Sequence, residues 1–197
     1  MTTLDLHIGL HKTGTTTLQS FFVTNEAALR KHSIVYPRTV RKDNSHCAIL
    51  RMLDTDDSLK SIMANLHAEC AQFQHALVSA EGLSNAFLDK DRLARFCDAA
   101  ARYFHTRIII YLRRQDELKT SIYGQVAREW YQGSILEENH YEYDHLKRLD
   151  ILQSAVDKED LIVRRYRPDR KVEHDFSQYT GYALARTSNP SLLRTLR

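Results

Sequence analysis

The residues of this chain best suited to chemistry lie near its N-terminus, in His11-Lys12-Thr13-Gly14-Thr15-Thr16. They follow Leu4, Leu6 and Ile8, an alternating apolar run that predicts a short strand, and precede Leu18, Phe21, Phe22 and Leu29, which recur at helical spacing. A strand, a turn bracketed by Gly9 and Gly14, and a helix aim a row of backbone N–H groups and the positive end of a helix dipole at one point. The ligand expected there is a phosphate or sulfate group.

A second set of polar residues stands further along. Arg113 ends Arg107-Ile108-Ile109-Ile110-Tyr111-Leu112, the most strand-like run in the chain, and Ser121 follows eight residues later on the succeeding helix. If that chain folds back over the strand ends, guanidinium and hydroxyl converge on a second phosphate. Two residues are candidates for a general base. His46 follows a polar, basic loop from Arg38 to Ser45 and has an ordinary pKa near 6.5; Glu81 ends the apolar run His75-Ala76-Leu77-Val78-Ser79-Ala80. The sequence leaves the choice between them open.

The loop has the glycine spacing of a Walker A loop, with Gly9 and Gly14 as its glycines and Thr16 where the Mg-binding hydroxyl would stand. Its lysine is displaced. A Walker A lysine follows the second glycine directly, whereas Thr15 is found there and Lys12 lies inside the loop. The spacing describes an anion cradle that is not a standard NTPase loop.

The elements that must position these residues alternate along the chain. Ser33–Pro37 predicts a short second strand; Leu59, Ile62, Met63, Leu66, Cys70 and Phe73 predict a helix, and Leu93, Phe96, Cys97, Ala100 and Phe104 another. Leu118, Ile122, Val126 and Trp130 mark the helix after Arg113, and Tyr131–Tyr143 reads as a loop. Trp130, Tyr131, Tyr141 and Tyr143 either pack beneath that loop or offer a stacking surface. A helix over Asp144–Val156 on Leu146, Leu149, Leu152 and Val156, a buried strand at Leu161-Ile162-Val163 and a helix over Asp175–Tyr182 complete the pattern. The expected class is α/β, a three-layer P-loop fold with a central, mainly parallel sheet flanked by helices, in a single domain over residues 1–197.

The composition bounds the function. A net charge of +3 and a pI near 8.7 do not argue for nucleic acid but suit an anionic ligand. Cys47, Cys70 and Cys97 show no C-x-x-C spacing and read as reduced thiols, so neither zinc nor a disulfide framework is expected. There is no run long enough for a membrane span, no signal-peptide core before the first strand and no N-x-S/T acceptor, and a cytoplasmic protein is expected.

In these motifs the chain resembles the PAPS-dependent sulfotransferases. Their 5′-phosphosulfate loop reads like His11–Thr16, with Pro usual at the position of His11, and their 3′-phosphate element pairs Arg with Ser eight positions on and often Tyr two further, as Arg113, Ser121 and Tyr123 do. The bacterial branch beginning His-Ile-Gly-x-x-Lys-Thr-Gly-Thr-Thr and continuing with Leu-Gln is especially similar to His7–Gln19. Weaker likenesses run through Val35-Tyr36-Pro37, Ser79-Ala80-Glu81-Gly82, Val163-Arg164-Arg165-Tyr166 and Asp175-Phe176, while the C-terminal part is short for the family.

The resemblance implies transfer of a sulfuryl group from PAPS to a hydroxyl of a small molecule or glycan, leaving PAP, with no metal required and no nucleic-acid partner. It makes His11, Lys12, Thr13, Gly14, Thr15, Thr16, Arg113 and Ser121 the donor-binding residues, with Lys12 and either His46 or Glu81 catalytic. The short C-terminal part puts in doubt a complete acceptor pocket and the loop that supplements 3′-phosphate binding in relatives, for which Arg167, Arg170 and Lys171 are the candidate substitutes. The oligomeric state stays open, a homo-oligomer included. Two other readings remain: a P-loop kinase or NTPase, for which Glu81 would serve as the Walker B acid, and a protein that binds PAP without catalysis.

Overall fold

A computed structural model of the chain describes residues 1–137 and 141–179. In chain order its elements are β1 (Thr2–His7), α1 (Thr15–Thr24), α2 (Glu26–Lys31), β2 (Ile34–Val35), a 3₁₀ turn (Cys47–Met52) and α3 (Asp56–Cys70). Then follow β3 (His75–Ser79), α4 (Leu83–Ala86), α5 (Lys90–Ala101), β4 (Phe104–Leu112) and α6 (Gln115–Glu129). The last are α7 (His145–Gln153), a 3₁₀ turn (Lys158–Asp160), β5 (Leu161–Arg165) and α8 (Val172–Tyr179). The strands form one sheet in the order β2-β3-β1-β4-β5, and every pairing is parallel. All strand C-termini therefore open on the same edge, and β1, which leads into the glycine loop, is central.

Each face of the sheet has its own apolar layer. Leu4, Leu6, Ile8, Ala76, Val78, Ile108 and Ile110 meet α3, α5, α6 and α7, while Leu77, Ile109 and Tyr111 meet Phe21, Phe22, Leu29 and Phe176 from α1, α2 and α8. The three-layer expectation holds. The alternation in β1 has a physical cause: its second face, toward α1 and α8, carries Asp5 and His7, both buried.

Several local expectations change. The first helix does not run to Leu29, because Asn25 gives both its backbone N–H and its side-chain amide to the Phe21 carbonyl, ending α1 and starting α2. Phe104 opens β4 instead of closing α5; helix stripe and strand face enter the same core, so periodicity cannot separate them. The stripe of α7 is rotated, with Leu146 exposed and Arg148 buried. β5 is an edge strand with Val163 39% exposed, so it is not the buried strand expected. The last helix begins at Val172, and residues 180–182 of its expected span lie outside the described residues.

Asp5 ties three strands together. Its fully buried carboxylate accepts from Arg107 Nε of β4 at 2.6 Å and lies 2.8 Å from His75 Nδ1 of β3. Removing one member of a buried charged set leaves the others desolvated and unpaired. Asp5→Ala should lower stability by roughly 3 kcal/mol, read as a fall in the urea midpoint at constant m-value; an unchanged midpoint would show that the carboxylate holds nothing.

Candidate functional site

β1 does not release its neighbour at the loop. Ile8 N–H donates to Ile109 O at 3.0 Å, Leu10 N–H to Tyr111 O at 3.1 Å, and Tyr111 N–H to Gly9 O at 2.7 Å. The chain then turns through Gly9 (φ 101°), Lys12 (φ 62°) and Gly14 (φ 77°), left-handed conformations that glycine adopts without strain. Gly9 is needed for space as well, since a Cβ there would stand 3.2 Å from Glu81 Cβ. Thr13 Oγ1 braces the turn by donating to Leu10 O at 2.7 Å. Among the described residues no side chain caps α1, whose start at Gly14 lies beside the half-buried Lys12 and the exposed Thr16; an uncapped helix N-terminus leaves its first N–H groups available to an anion.

Arg113 joins this loop. Its Nη1 donates to the Lys12 carbonyl at 3.1 Å, its guanidinium lies over the Tyr166 ring at 5.6 Å, and its own carbonyl accepts from His145 Nε2 at 2.7 Å. Ser121 is half-buried two turns along α6. The structure thus brings Arg113 directly against the loop, from the adjacent strand end.

Glu81 comes from the other side, one residue past Ala80, whose N–H is bonded to His7 O. Its carboxylate accepts a hydrogen bond from Thr15 Oγ1, and its other oxygen lies 3.4 Å from His11 Nδ1. Burial pushes the Glu81 carboxyl up, but the hydrogen bonds from His11 and Thr15 outweigh it and hold the group below its ordinary value. It is an ionised acid at neutral pH, partly open to solvent. His11 in turn meets Tyr141 edge to face at 5.7 Å.

His46 has a different employment. β2 pairs only with His75 and Ala76, leaving the end of β3 without a strand on the side away from β1. His46 fills that gap: its backbone N–H donates to Ser79 O at 2.8 Å, its Nδ1 accepts from Ser79 N–H at 3.2 Å, and its Nε2 donates to Pro37 O at 2.9 Å. The ring is wholly buried, both nitrogens are bonded, and burial lowers its pKa to about 4. A hydroxyl would have to displace one of those bonds to reach it.

Beneath the loop lies a second buried histidine. Ser79 Oγ accepts from Gln19 Nε2 at 3.2 Å and is 2.8 Å from His7 Nδ1, while burial lowers the His7 pKa to about 4 against the attraction of Glu81. Sequence reasoning missed this network and Arg148, which is buried against the Tyr141 ring and donates to Ser84 O, Asn85 Oδ1 and Glu142 O. The available signal was Arg148 standing four residues before Leu152 on one helical face. Trp130 is more than half exposed and stands apart from these contacts.

The same arrangement of strands and helices occurs in a solved structure. A sulfotransferase from Alicyclobacillus acidocaldarius superposes with a TM-score of 0.55 over 92% of this chain and 81% of that one, at 15% sequence identity. The fold is sulfotransferase-like. No family model matches the chain, and no curated protein matches its sequence. Among the described residues no cluster of three or more His, Cys, Asp or Glu is arranged to hold a metal ion, and no helix is long and apolar enough to cross a membrane.

The two neutral histidines make stability depend on pH. Between about 6.5 and about 4 the unfolded chain binds protons that folded His7 and His46 refuse, so stability falls as pH drops through that window. Each contributes a loss of roughly 3 kcal/mol when complete. Urea unfolding at pH 6.5 and 4.5 should show a smaller acid loss for His46→Gln than for the parent chain, whatever the variant's absolute stability; equal losses would mean that His46 does not titrate there.

Proposed function

We propose that the chain is a sulfotransferase that moves a sulfuryl group from PAPS to a hydroxyl acceptor, a small molecule or a glycan. The observation that carries this reading is Arg113 reaching across the strand ends to the Lys12 carbonyl, which joins two cationic side chains and an uncapped helix N-terminus at one edge. PAPS supplies an activated sulfuryl group and a second anionic handle, its 3′-phosphate.

The N–H groups of Gly14, Thr15 and Thr16 hold the 5′ end, and Lys12, which has no carboxylate partner among the described residues, meets the charge that grows on the leaving phosphate. Arg113 and Ser121 take the 3′-phosphate; the rigid guanidinium fork suits a phosphate better than an ammonium does. His11 steadies Glu81. Glu81 is the proposed base, because it is ionised, partly open and fixed by Thr15 and His11, whereas His46 is sealed beneath the edge. The positive charge comes from Lys12, and no metal ion enters the scheme. Free thiols at Cys47, Cys70 and Cys97 fit a reducing, cytoplasmic setting.

Calorimetry and thermal shift with PAP and ATP test the donor. PAP at a hundredfold excess over Kd should stabilise the native state by about 2.7 kcal/mol, with ATP weaker; Lys12→Ala and Arg113→Ala should each weaken PAP by roughly 10- to 100-fold, the range for a lost bond to a charged group. Stabilisation by ATP but not PAP refutes the reading. For the acceptor side, Glu81→Gln should keep PAP affinity within about twofold and lower kcat by roughly 10²- to 10⁴-fold, while full activity in that variant would remove Glu81 as the base.

A further inference from the structure

Arg113 stands outside both of the elements that it joins. Leu112 is the last residue of β4 and Arg114 is the N-cap of α6. The sheet edge secures Leu112, whose carbonyl accepts from Tyr166 N–H at 2.7 Å, and the helix secures Arg114, whose carbonyl accepts from Leu118 N–H at 2.8 Å. The carbonyl of Arg113 is held by a side chain, His145 Nε2 at 2.7 Å. Because the peptide unit is planar, holding that carbonyl fixes the plane on one side of the Arg113 Cα, and with it the bearing of the Cα–Cβ bond that carries the guanidinium.

The local structure delivers His145 to this bond. It is the first residue of α7, set there by the N-cap Asp144, whose carboxylate accepts from Lys147 N–H at 3.0 Å. The buried Arg148, three residues on, anchors α7 by donating to Ser84 O and Glu142 O. A second bond crosses the same gap in the opposite direction, from Gln115 Nε2 to Tyr143 O at 2.8 Å. A carbonyl only accepts, so His145 Nε2 carries the proton of its bond. Nδ1 is buried with no partner among the described residues, and such an atom lowers stability. The contact that the ring gains in return is the Arg113 carbonyl.

The aim of Arg113 matters because its guanidinium has several neighbours. Nη1 donates to Lys12 O at 3.1 Å, Nε lies 3.4 Å from Glu117 Oε2, and the group lies over the Tyr166 ring at 5.6 Å. Turned further toward Glu117, the fork would commit its donors to that carboxylate; held against the loop, it offers them to a phosphate. We propose that His145 is a positioning residue for the donor: through the Arg113 carbonyl it holds the guanidinium beside the glycine loop, where it meets the 3′-phosphate. This step rests on the sulfuryl-transfer reading, in which Arg113 and Ser121 take that phosphate. The 5′ end is seated by the loop after β1, which Thr13 braces from within, so the effect of His145 falls on the 3′ end.

The test compares PAP with adenosine 5′-monophosphate, which lacks only the 3′-phosphate, by calorimetry on the full chain and its variants. The parent chain should bind PAP roughly 10- to 100-fold more tightly than the monophosphate. His145→Ala should cut that preference by at least about fivefold while affinity for the monophosphate stays within about twofold, and His145→Gln, whose amide offers an N–H in place of Nε2, should restore the preference to within about twofold of the parent. An unchanged preference in His145→Ala overturns the proposal. So does an equal loss of both nucleotides, which marks general damage to the fold, and so does a His145→Gln variant no better than His145→Ala. If His145→Ala does not fold, Gln115→Ala, which cuts the exposed bond between the same two segments, should reduce the preference by about threefold or more; no change there also overturns the proposal. A parent chain that does not distinguish PAP from the monophosphate, or an Arg113→Ala variant that keeps the full preference, is a different result and strikes the sulfuryl-transfer reading itself.

Discussion

The contact between Thr15 and Glu81 is the constraint from which the site follows. It joins the first residue of α1 to the second residue beyond the end of β3, so the loop after β1 and the neighbouring strand end are fixed relative to one another. The fit requires glycine at position 9, because the loop backbone runs against Glu81, and a left-handed Gly14 to send the chain into α1. A carboxylate there also repels any anion brought to the helix end. Against it stand Lys12, the uncapped end of α1 and Arg113, whose Nε also lies 3.4 Å from Glu117.

That upper layer stands on buried polar groups. A central parallel strand is covered on both faces, so its non-apolar residues must find partners within the protein. Asp5 finds Arg107 and His75, and His7 finds Ser79, which Gln19 also holds. His46 performs the same service from outside the sheet, replacing the strand that β2 is too short to provide. Neutral imidazole suits the position, since one nitrogen accepts from a backbone N–H while the other donates to a carbonyl, and protonation would destroy the acceptor. The burial that makes His46 a good stand-in for a strand also removes it from solvent.

Much of the architecture was legible because its signals are local. Leu4, Leu6 and Ile8 marked β1, Ile108 to Leu112 marked β4, and the bracketing glycines marked the loop between β1 and α1. Where the reading failed, the deciding contacts were distant in sequence. Leu146 and Arg148 both fit a helical stripe, and only the carbonyls of Ser84 and Glu142 with the Tyr141 ring determine that the arginine goes inside. His46 had the pKa and the loop position of a base; its actual surroundings come from Pro37 and Ser79, which no spacing rule connects to it. The neighbourhood of Arg113 and the loop was readable for the opposite reason, since adjacent parallel strands deliver their C-terminal residues to one edge.

The contacts around position 15 explain the displaced lysine. In a standard phosphate loop the lysine would stand at that position, which is buried here and faces Glu81. An ammonium there would pair with the carboxylate, neutralising both the acid and the cation across one short contact. Threonine instead gives Glu81 a hydrogen bond that orients it and keeps it ionised. Lys12 stands instead inside the loop, half-buried, with its carbonyl held by Arg113. The displacement therefore leaves the Glu81 carboxylate hydrogen-bonded to a neutral hydroxyl at the start of α1 instead of paired with an ammonium.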